Sequence, residues 1–192
     1  MAAIPKTIWE EREYLAVAAV SQTRLELING EIYDMAGASR IHIKLCVNFS
    51  GLLYAQLRTS GCELLNGDMR VKVNPDNYFY PDLSVVCGEQ LYTADQPPSL
   101  LNPIFIVEVL SESTFQKDWD VKLPLYQAIP SVQEIVLIAQ DQIRVHHIQR
   151  QLAPPTQAQW TSSIYSDSAA VLTFASIGCH VRLAELYERI VF

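Results

Sequence analysis

Ile104-Phe105-Ile106-Val107-Glu108-Val109-Leu110 is a seven-residue run in which six residues are apolar and most are β-branched or aromatic. Such a run reads as a central strand covered on both faces. Glu108 is the exception within it. An unpaired carboxylate in such a place costs on the order of several kcal/mol or more. The run therefore calls for a cation opposite Glu108, either a basic side chain or a metal ion. What Glu108 faces is the central question for function.

Upstream of this strand, Tyr80-Pro81-Asp82-Leu83-Ser84-Val85-Val86-Cys87 reads as another strand. Pro81 stands at its entry, where a missing donor does little harm. Gly88 to Asn102, with Pro97-Pro98, is expected to be a surface connection. Cys62-Glu63-Leu64-Leu65 and Met69-Arg70-Val71-Lys72-Val73 are short strands about a turn at Asn66-Gly67-Asp68, and Asn74-Pro75-Asp76-Asn77 is loop. Further back the period changes. Ile41, Leu45, Phe49, Leu52, Leu53 and Leu57 recur at three and four, which predicts a long amphipathic helix. Ser39 suits its cap and Gly61 its stop. His42 lies on the shoulder of the apolar stripe, where the plain interpretation is a satisfied boundary histidine. Asn29-Gly30 between Arg24–Ile28 and Glu31–Met35 predicts a hairpin, because both turn residues tolerate positive φ. Thr7 can cap a first helix through Trp9 to Leu15, with acidic residues in its first turn.

Downstream, a helix is expected from after Ser111 to Ala128, closed by Ile129-Pro130-Ser131. Pro124 falls inside it. Proline there would leave the carbonyl of Asp120 unpaired and bend or interrupt the helix, at a cost of ~3 kcal/mol unless a new segment starts there. Strands follow at Glu134–Ile138 and Gln142–Ile148, with Asp141 turning between them. Ala153-Pro154-Pro155 marks a loop. Weaker strands near Gln159–Tyr165 and Ala170–Phe174 precede a last helix holding Leu183, Leu186, Tyr187 and Ile190. The order predicts an α/β (α+β) fold with a mixed central sheet flanked by helices, an N-terminal helix and hairpin, and extra strands at the C-terminal end.

The totals fit one domain over residues 1–192. With 192 residues, 49% hydrophobic and 18% charged, the chain can bury a substantial core. No segment approaches the ~20 apolar residues of a membrane span, and the N-terminus lacks a signal-peptide core. Cys46, Cys62, Cys87 and Cys179 are scattered among apolar neighbours without paired spacing. They are expected to be free buried thiols in a reducing, cytoplasmic compartment. A zinc site on them is not expected, since no close Cys/His pair anchors one. The net charge of −7 argues against a general electrostatic grip on nucleic acid, though not against a local groove or a metal-bridged phosphate contact.

Side chains alternate across a strand, so Glu108 shares a face with Ile106 and Leu110, and Asp82 with Ser84 and Val86. Two carboxylates on strands that become neighbours offer hard oxygen ligands to Mg²⁺, which fills its octahedron with water and phosphate oxygens. Plainer alternatives stand beside this one. Glu108 pairs with Lys122 and holds no metal; Asp82 bonds a nearby turn; Asp118 and Lys122 are an exposed i,i+4 pair. Trp119 is open between surface and interface. His146 and His147 point to opposite faces and are structural. A Gly-x-Ser-x-Gly elbow and a phosphate-cradling loop are both missing, which disfavours other small hydrolases.

Pro81-Asp82, then Glu108-Val109-Leu110-Ser111, then Thr114-x-x-x-Asp118-x-x-x-Lys122-x-x-x-Tyr126 resembles the Uma-two family, a bacterial branch of the PD-(D/E)XK nuclease superfamily with the restriction-endonuclease-like fold. Glu26-Leu27-Ile28-Asn29-Gly30-Glu31-Ile32 and His42 at the helix start support it, and the resemblance covers a core of about residues 25–145. The superfamily's usual strand lysine, two residues after the glutamate, is Leu110 here, and Lys122 takes the place the branch uses on the following helix. The resemblance implies an endonuclease that hydrolyses phosphodiester bonds in DNA. Asp82 and Glu108 would bind Mg²⁺, or Mn²⁺ in its stead. Lys122 would be a third catalytic residue, orienting water or neutralising charge on the phosphate. Glu26, His42 and Asp118 would complete the pocket. The cation would activate water and stabilise charge developing on the phosphate. A homodimer is expected, with strands after Glu134 as its interface. The alternative is a nuclease-fold module that binds DNA or protein without catalysis.

Overall fold

The computed structural model describes residues 8–35, 37–111, 116, 118–153 and 157–192. Thr7, Thr114 and the Pro154-Pro155 loop lie outside these residues, as do residues 112–115 of the expected helix after Ser111.

The run that opens the sequence argument forms β7 (Phe105–Leu110), buried along its whole length. It lies inside a six-stranded sheet. On one side it pairs in parallel with β8 (Glu134–Ala139), and on the other antiparallel with β6 (Leu83–Cys87). The sheet runs β10-β9-β8-β7-β6-β3, with β3 (Cys62–Asn66), β9 (Val145–Ala153) and β10 (Gln157–Tyr165) antiparallel to their neighbours. Alternation sorts β7 between two cores. Phe105, Val107 and Val109 pack on one face with Leu45, Phe49, Leu53 and Leu57 of helix α2 (Arg40–Leu57). Ile106 and Leu110 pack on the other with Leu123, Tyr126 and Ile129.

Helix α2 follows the predicted stripe, since its buried residues recur every fourth position. Ser39 caps it: the side-chain oxygen accepts the N–H of His42 at 3.0 Å. Helix α1 (Glu11–Val20) starts from a capping box between Glu10 and Glu13. The hairpin of β1 (Leu25–Ile28) and β2 (Glu31–Asp34) turns at Asn29 and Gly30, with φ of 50° and 80°. Both values are those of the hairpin turn that Asn-Gly favours.

The expectation of one mixed sheet is incomplete. A second sheet, β2-β1-β5-β4, joins the hairpin to β4 (Val71–Asn74) and β5 (Asn77–Phe79). Strand β5 lies where loop and strand entry are expected. Its three residues follow an Asn-Pro-Asp cluster, and they gain strand structure by pairing with distant β1. The 88–102 connection is not all surface either. Ser99 and Leu100 are buried, and the Arg70 guanidinium holds the segment through Ser99 Oγ and Asp95.

Pro124 interrupts the helix as its chemistry requires. Asp118–Lys122 form a π-helical turn, and a new helix, α3 (Leu123–Ala128), starts with Pro124 in its first turn. There the missing N–H costs little. Toward the C-terminus, β11 (Val171–Phe174) pairs with β12 (Cys179–Arg182), a strand the sequence pattern did not reveal. The expected last helix is one turn, α4 (Leu183–Leu186). Glu134 on β8 ties the hairpin to the sheet. Its carboxylate accepts from Ser176 Oγ at 2.5 Å, from the N–H groups of Ala175 and Ser176, and from Gln149, with His147 at 3.2 Å.

Two of the four cysteines are not free thiols. Cys62 and Cys87 face each other in the β3–β6 register and form a disulfide. Their spacing in sequence carries no sign of this, because the pairing comes from strand register. Cys46 and Cys179 are free. Among the described residues, no helix is long and apolar enough to cross a membrane.

Candidate active site

Glu108 projects from β7 onto the face it shares with Ile106 and Leu110, and it is buried. Its Oε1 accepts the Tyr126 hydroxyl at 2.6 Å and faces the Lys122 amine at 3.4 Å. The π-helical turn and α3 deliver these two donors from the same face. Strand β1 supplies the second carboxylate. Leu25 and Leu27 enter a small core with Tyr14 and Tyr78, so alternation sends Glu26 the other way. Glu26 is fully buried. Its Oε1 accepts from the Lys122 amine at 2.8 Å and from the N–H of Tyr80 at 3.1 Å. Its Oε2 is buried without a hydrogen-bond partner among the described residues. Asp118 adds a third carboxylate, 3.5 Å from the Lys122 amine. Asp118 and Lys122 are both buried, so they are not the exposed pair of the plainer alternative.

Asp82 reaches the cluster by another route. The β6–β7 ladder pairs end at Leu83 and Val107. Beyond that point Asp82 Oδ2 accepts the N–H of Val109 at 2.7 Å, doing the work of a ladder carbonyl. Its Oδ1 lies 2.8 Å from His42 Nε2. His42 stands in the first turn of α2, which Ser39 anchors. Asp82 and Glu108 thus sit at the same end of adjacent antiparallel strands, and the charge of Asp82 acts on Glu108.

The cluster holds more negative than positive charge. Glu26, Glu108 and Asp118 gather around the Lys122 amine, and Asp82 stands beside them paired with His42. Burial first of all pushes the Glu108 carboxyl well above the usual carboxylate range. Lys122 opposes this, and Asp118, Asp82 and Glu26 add to it. Burial would lower the Lys122 ammonium, but Glu108, Glu26 and Asp118 overcome that and hold it well above its ordinary value. Lys122 is therefore a charged partner of Glu108, and burial and the neighbouring carboxylates shift Glu108 toward holding a proton while Lys122 opposes them. An additional divalent ion would favour the ionised carboxylate and meet the excess charge. Asp82 and Glu108 carry oxygen donors of the kind a hard cation takes, although among the described residues no set of three donor side chains that includes Glu108 or Glu26 closes to within 4.8 Å.

A second donor set was not expected. His42 and Cys46 are four residues apart on α2, a close Cys/His pair, and their ligand atoms lie with a carboxylate oxygen of Asp82 within 4.8 Å of one another. Tyr126 is a further residue to which the sequence assigned no role, although its spacing of four from Lys122 places both on one helical face. His147 bonds Glu134, and His146 packs edge-on against Trp119 with ring centroids 4.8 Å apart, so the tandem is not a ligand pair.

Residues 9–178 match the Uma2 family, described as "Putative restriction endonuclease". The chain belongs to the Uma2 family. Two Synechocystis proteins are similar across much of its length. "Uncharacterized protein sll1609" is 37% identical over 139 residues, 72% of this chain and 78% of that protein. "Uncharacterized protein slr1290" is 33% identical over 138 residues, 71% and 67% of the two chains. Among solved structures, a "putative nuclease belonging to DUF820" from Anabaena variabilis superposes with a TM-score of 0.70 at 15% identity, over 95% of this chain and 99% of the other. At that identity the likeness shows the fold, which is nuclease-like. The Uma2 core, with helices on both faces of a mixed sheet, is the architecture expected from the order of elements.

Proposed function

We propose that this Uma2 chain is a divalent-cation-dependent endonuclease that hydrolyses phosphodiester bonds in DNA. Family membership supports the reaction class. The observation that carries the mechanism is the convergence of three acidic side chains, Glu26, Glu108 and Asp118, on the buried Lys122 amine, with Asp82 on the neighbouring strand and a Glu26 oxygen left unpartnered among the described residues. Asp82 and Glu108 would hold Mg²⁺ or Mn²⁺, which when bound supplies Lewis acidity and a more acidic water. The chain's own residues have definable tasks. The N–H of Val109 fixes the Asp82 carboxylate. His42 orients Asp82 from the opposite side. Tyr126 and Lys122 both address Oε1 of Glu108, leaving Oε2 outside those contacts. Lys122 also balances the buried acids, so the site stays folded before substrate arrives. Its ammonium stands ready to meet a phosphate oxygen as Asp118 or Glu26 yields it.

Net charge −7 makes a single subunit a weak electrostatic partner for DNA. A homodimer belongs to the same proposal, and the open edge of β10 in the six-stranded sheet is its support. Light scattering on the purified chain checks it; a monomer at all concentrations refutes it.

The direct test incubates the protein with duplex DNA and Mg²⁺ or Mn²⁺, alongside Asp82→Ala and Glu108→Ala. Cleavage that disappears in both variants is expected. Cleavage that survives both overturns the site assignment. A second reading, a nuclease-fold module without catalysis, draws on Leu110 in the usual lysine position and on the three carboxylates that already engage Lys122. Failure to bind Mg²⁺ or Mn²⁺ at millimolar concentration with the fold intact selects it.

A further inference from the structure

Helix α2 presents His42 and Cys46 one turn apart, and both are half-buried. With Asp82 they offer one nitrogen, one sulfur and one oxygen, all within 4.8 Å of each other. A thiol is a poor ligand for Mg²⁺ and a good one for zinc and its neighbours. Zn–N of about 2.0 Å and Zn–S of about 2.3 Å put tetrahedral ligand atoms roughly 3.3–3.7 Å apart. The three groups therefore need to close by about 1 Å at most, while the His42–Asp82 contact of 2.8 Å opens to admit an ion.

Two further features favour a built site over a chance cluster. Ser39 caps the turn that carries His42, which holds that turn in place. The Val109 N–H fixes the far oxygen of Asp82, the outer contact that orients a carboxylate ligand. Three protein ligands leave a fourth position for water, as at open zinc sites.

We propose that His42, Cys46 and Asp82 form a binding site for a thiophilic divalent cation of the zinc class. Cys46 binds as the thiolate, and its proton passes to solvent. Because Asp82 is common to this site and to the hard-cation site, a bound zinc ion withdraws Asp82 from Mg²⁺. The site thus makes the pocket sensitive to zinc at concentrations far below those of Mg²⁺. The binding site rests on the ligand geometry alone, whereas its competition with Mg²⁺ rests also on the proposed function.

Cobalt(II) is the probe. Titrating the whole protein with Co²⁺ is expected to give a thiolate-to-cobalt charge-transfer band that saturates at one ion per chain and is bleached by Zn²⁺. Cys46→Ser removes the band, and His42→Ala weakens Co²⁺ binding at least tenfold. Cys62→Ala/Cys87→Ala keeps the band, which excludes those sulfurs. A measurement on the unaltered chain runs beside the variants: Zn²⁺ protects Cys46 from alkylation, mapped by peptide mass. Absence of the charge-transfer band, its persistence in Cys46→Ser, or equal alkylation with and without Zn²⁺ overturns the site. The two proposals fail separately. Mg²⁺-dependent cleavage without a cobalt–thiolate band sinks this one alone, and the band without any cleavage sinks the nuclease assignment alone.

Discussion

Replacing Lys122 by methionine removes its ammonium from the acidic cluster while keeping most of the side chain's volume. Its amine lies 2.8 Å from Glu26, 3.4 Å from Glu108 and 3.5 Å from Asp118, all buried. Removing one partner of a buried ion pair costs about 3–5 kcal/mol, because the remaining charge has no compensation. At about 2–4 °C per kcal/mol for a chain of this length, the melting temperature falls by roughly 6–20 °C near neutral pH. The loss depends on pH with a definite sign. Glu108 already titrates well above the ordinary carboxylate range, through burial and despite Lys122. Without Lys122 the folded-state value rises further. A carboxyl whose folded pKa lies above its unfolded value favours folding below the unfolded pKa and loses that advantage as pH rises through the folded one. The deficit of Lys122→Met is therefore smallest at acid pH, toward the unfolded carboxyl value, and grows as pH rises. Adding Glu26→Gln to the variant recovers part of it. Urea unfolding at several pH values reads all three outcomes. A loss below about 1 kcal/mol that does not vary with pH would refute the claim that Lys122 is the counter-charge of Glu108.

Three further outcomes follow from other parts of the molecule. Burial would raise the Glu134 carboxyl, but His147, Ser176 and Gln149 hold it down to about 2. Its stabilisation is complete above the unfolded value near 4.5 and fades as pH falls toward about 2, so Glu134→Gln should flatten the acid limb of the stability profile. Parallel limbs for the two proteins would contradict this. The Cys62–Cys87 disulfide closes a separation of 25 residues, so Cys62→Ala/Cys87→Ala should lower unfolding stability by about 3 kcal/mol. An unchanged urea midpoint would argue that the bridge is not formed in solution. Ser39→Ala should cost about 1 kcal/mol by uncapping α2 and should loosen His42, seen as a shift in its ring proton resonances. Unchanged stability would remove the cap from the account of how His42 is placed.

Much of the architecture is legible in residues that are near neighbours along the chain. The apolar run at 104–110, the fourfold spacing of Leu45, Phe49, Leu53 and Leu57, and the Asn29-Gly30 turn each announce an element by local rules. Pro124 announces a break. Strand β5 was hidden because three residues beside a turn carry too little pattern, and pairing with β4 on one side and distant β1 on the other makes them a strand. Glu134 was hidden as well. It resembles any polar residue at a strand entry until Ser176, more than forty positions away, folds over it.

The chain's composition and periodicity were enough to require a buried strand with a carboxylate inside it, and hence a cation to meet that carboxylate. Pairing of Glu108 with Lys122 was among the readings they allowed, but they did not say that Tyr126 would bond Glu108, that Glu26 would share the Lys122 amine, that Asp82 would span Val109 and His42, or that Cys62 would bond Cys87. Helix and strand periods depend on neighbours two to four residues apart, which the sequence displays directly. Partners that are tens of residues distant are chosen by strand register and by the packing of whole faces, and those exist only once the chain has folded.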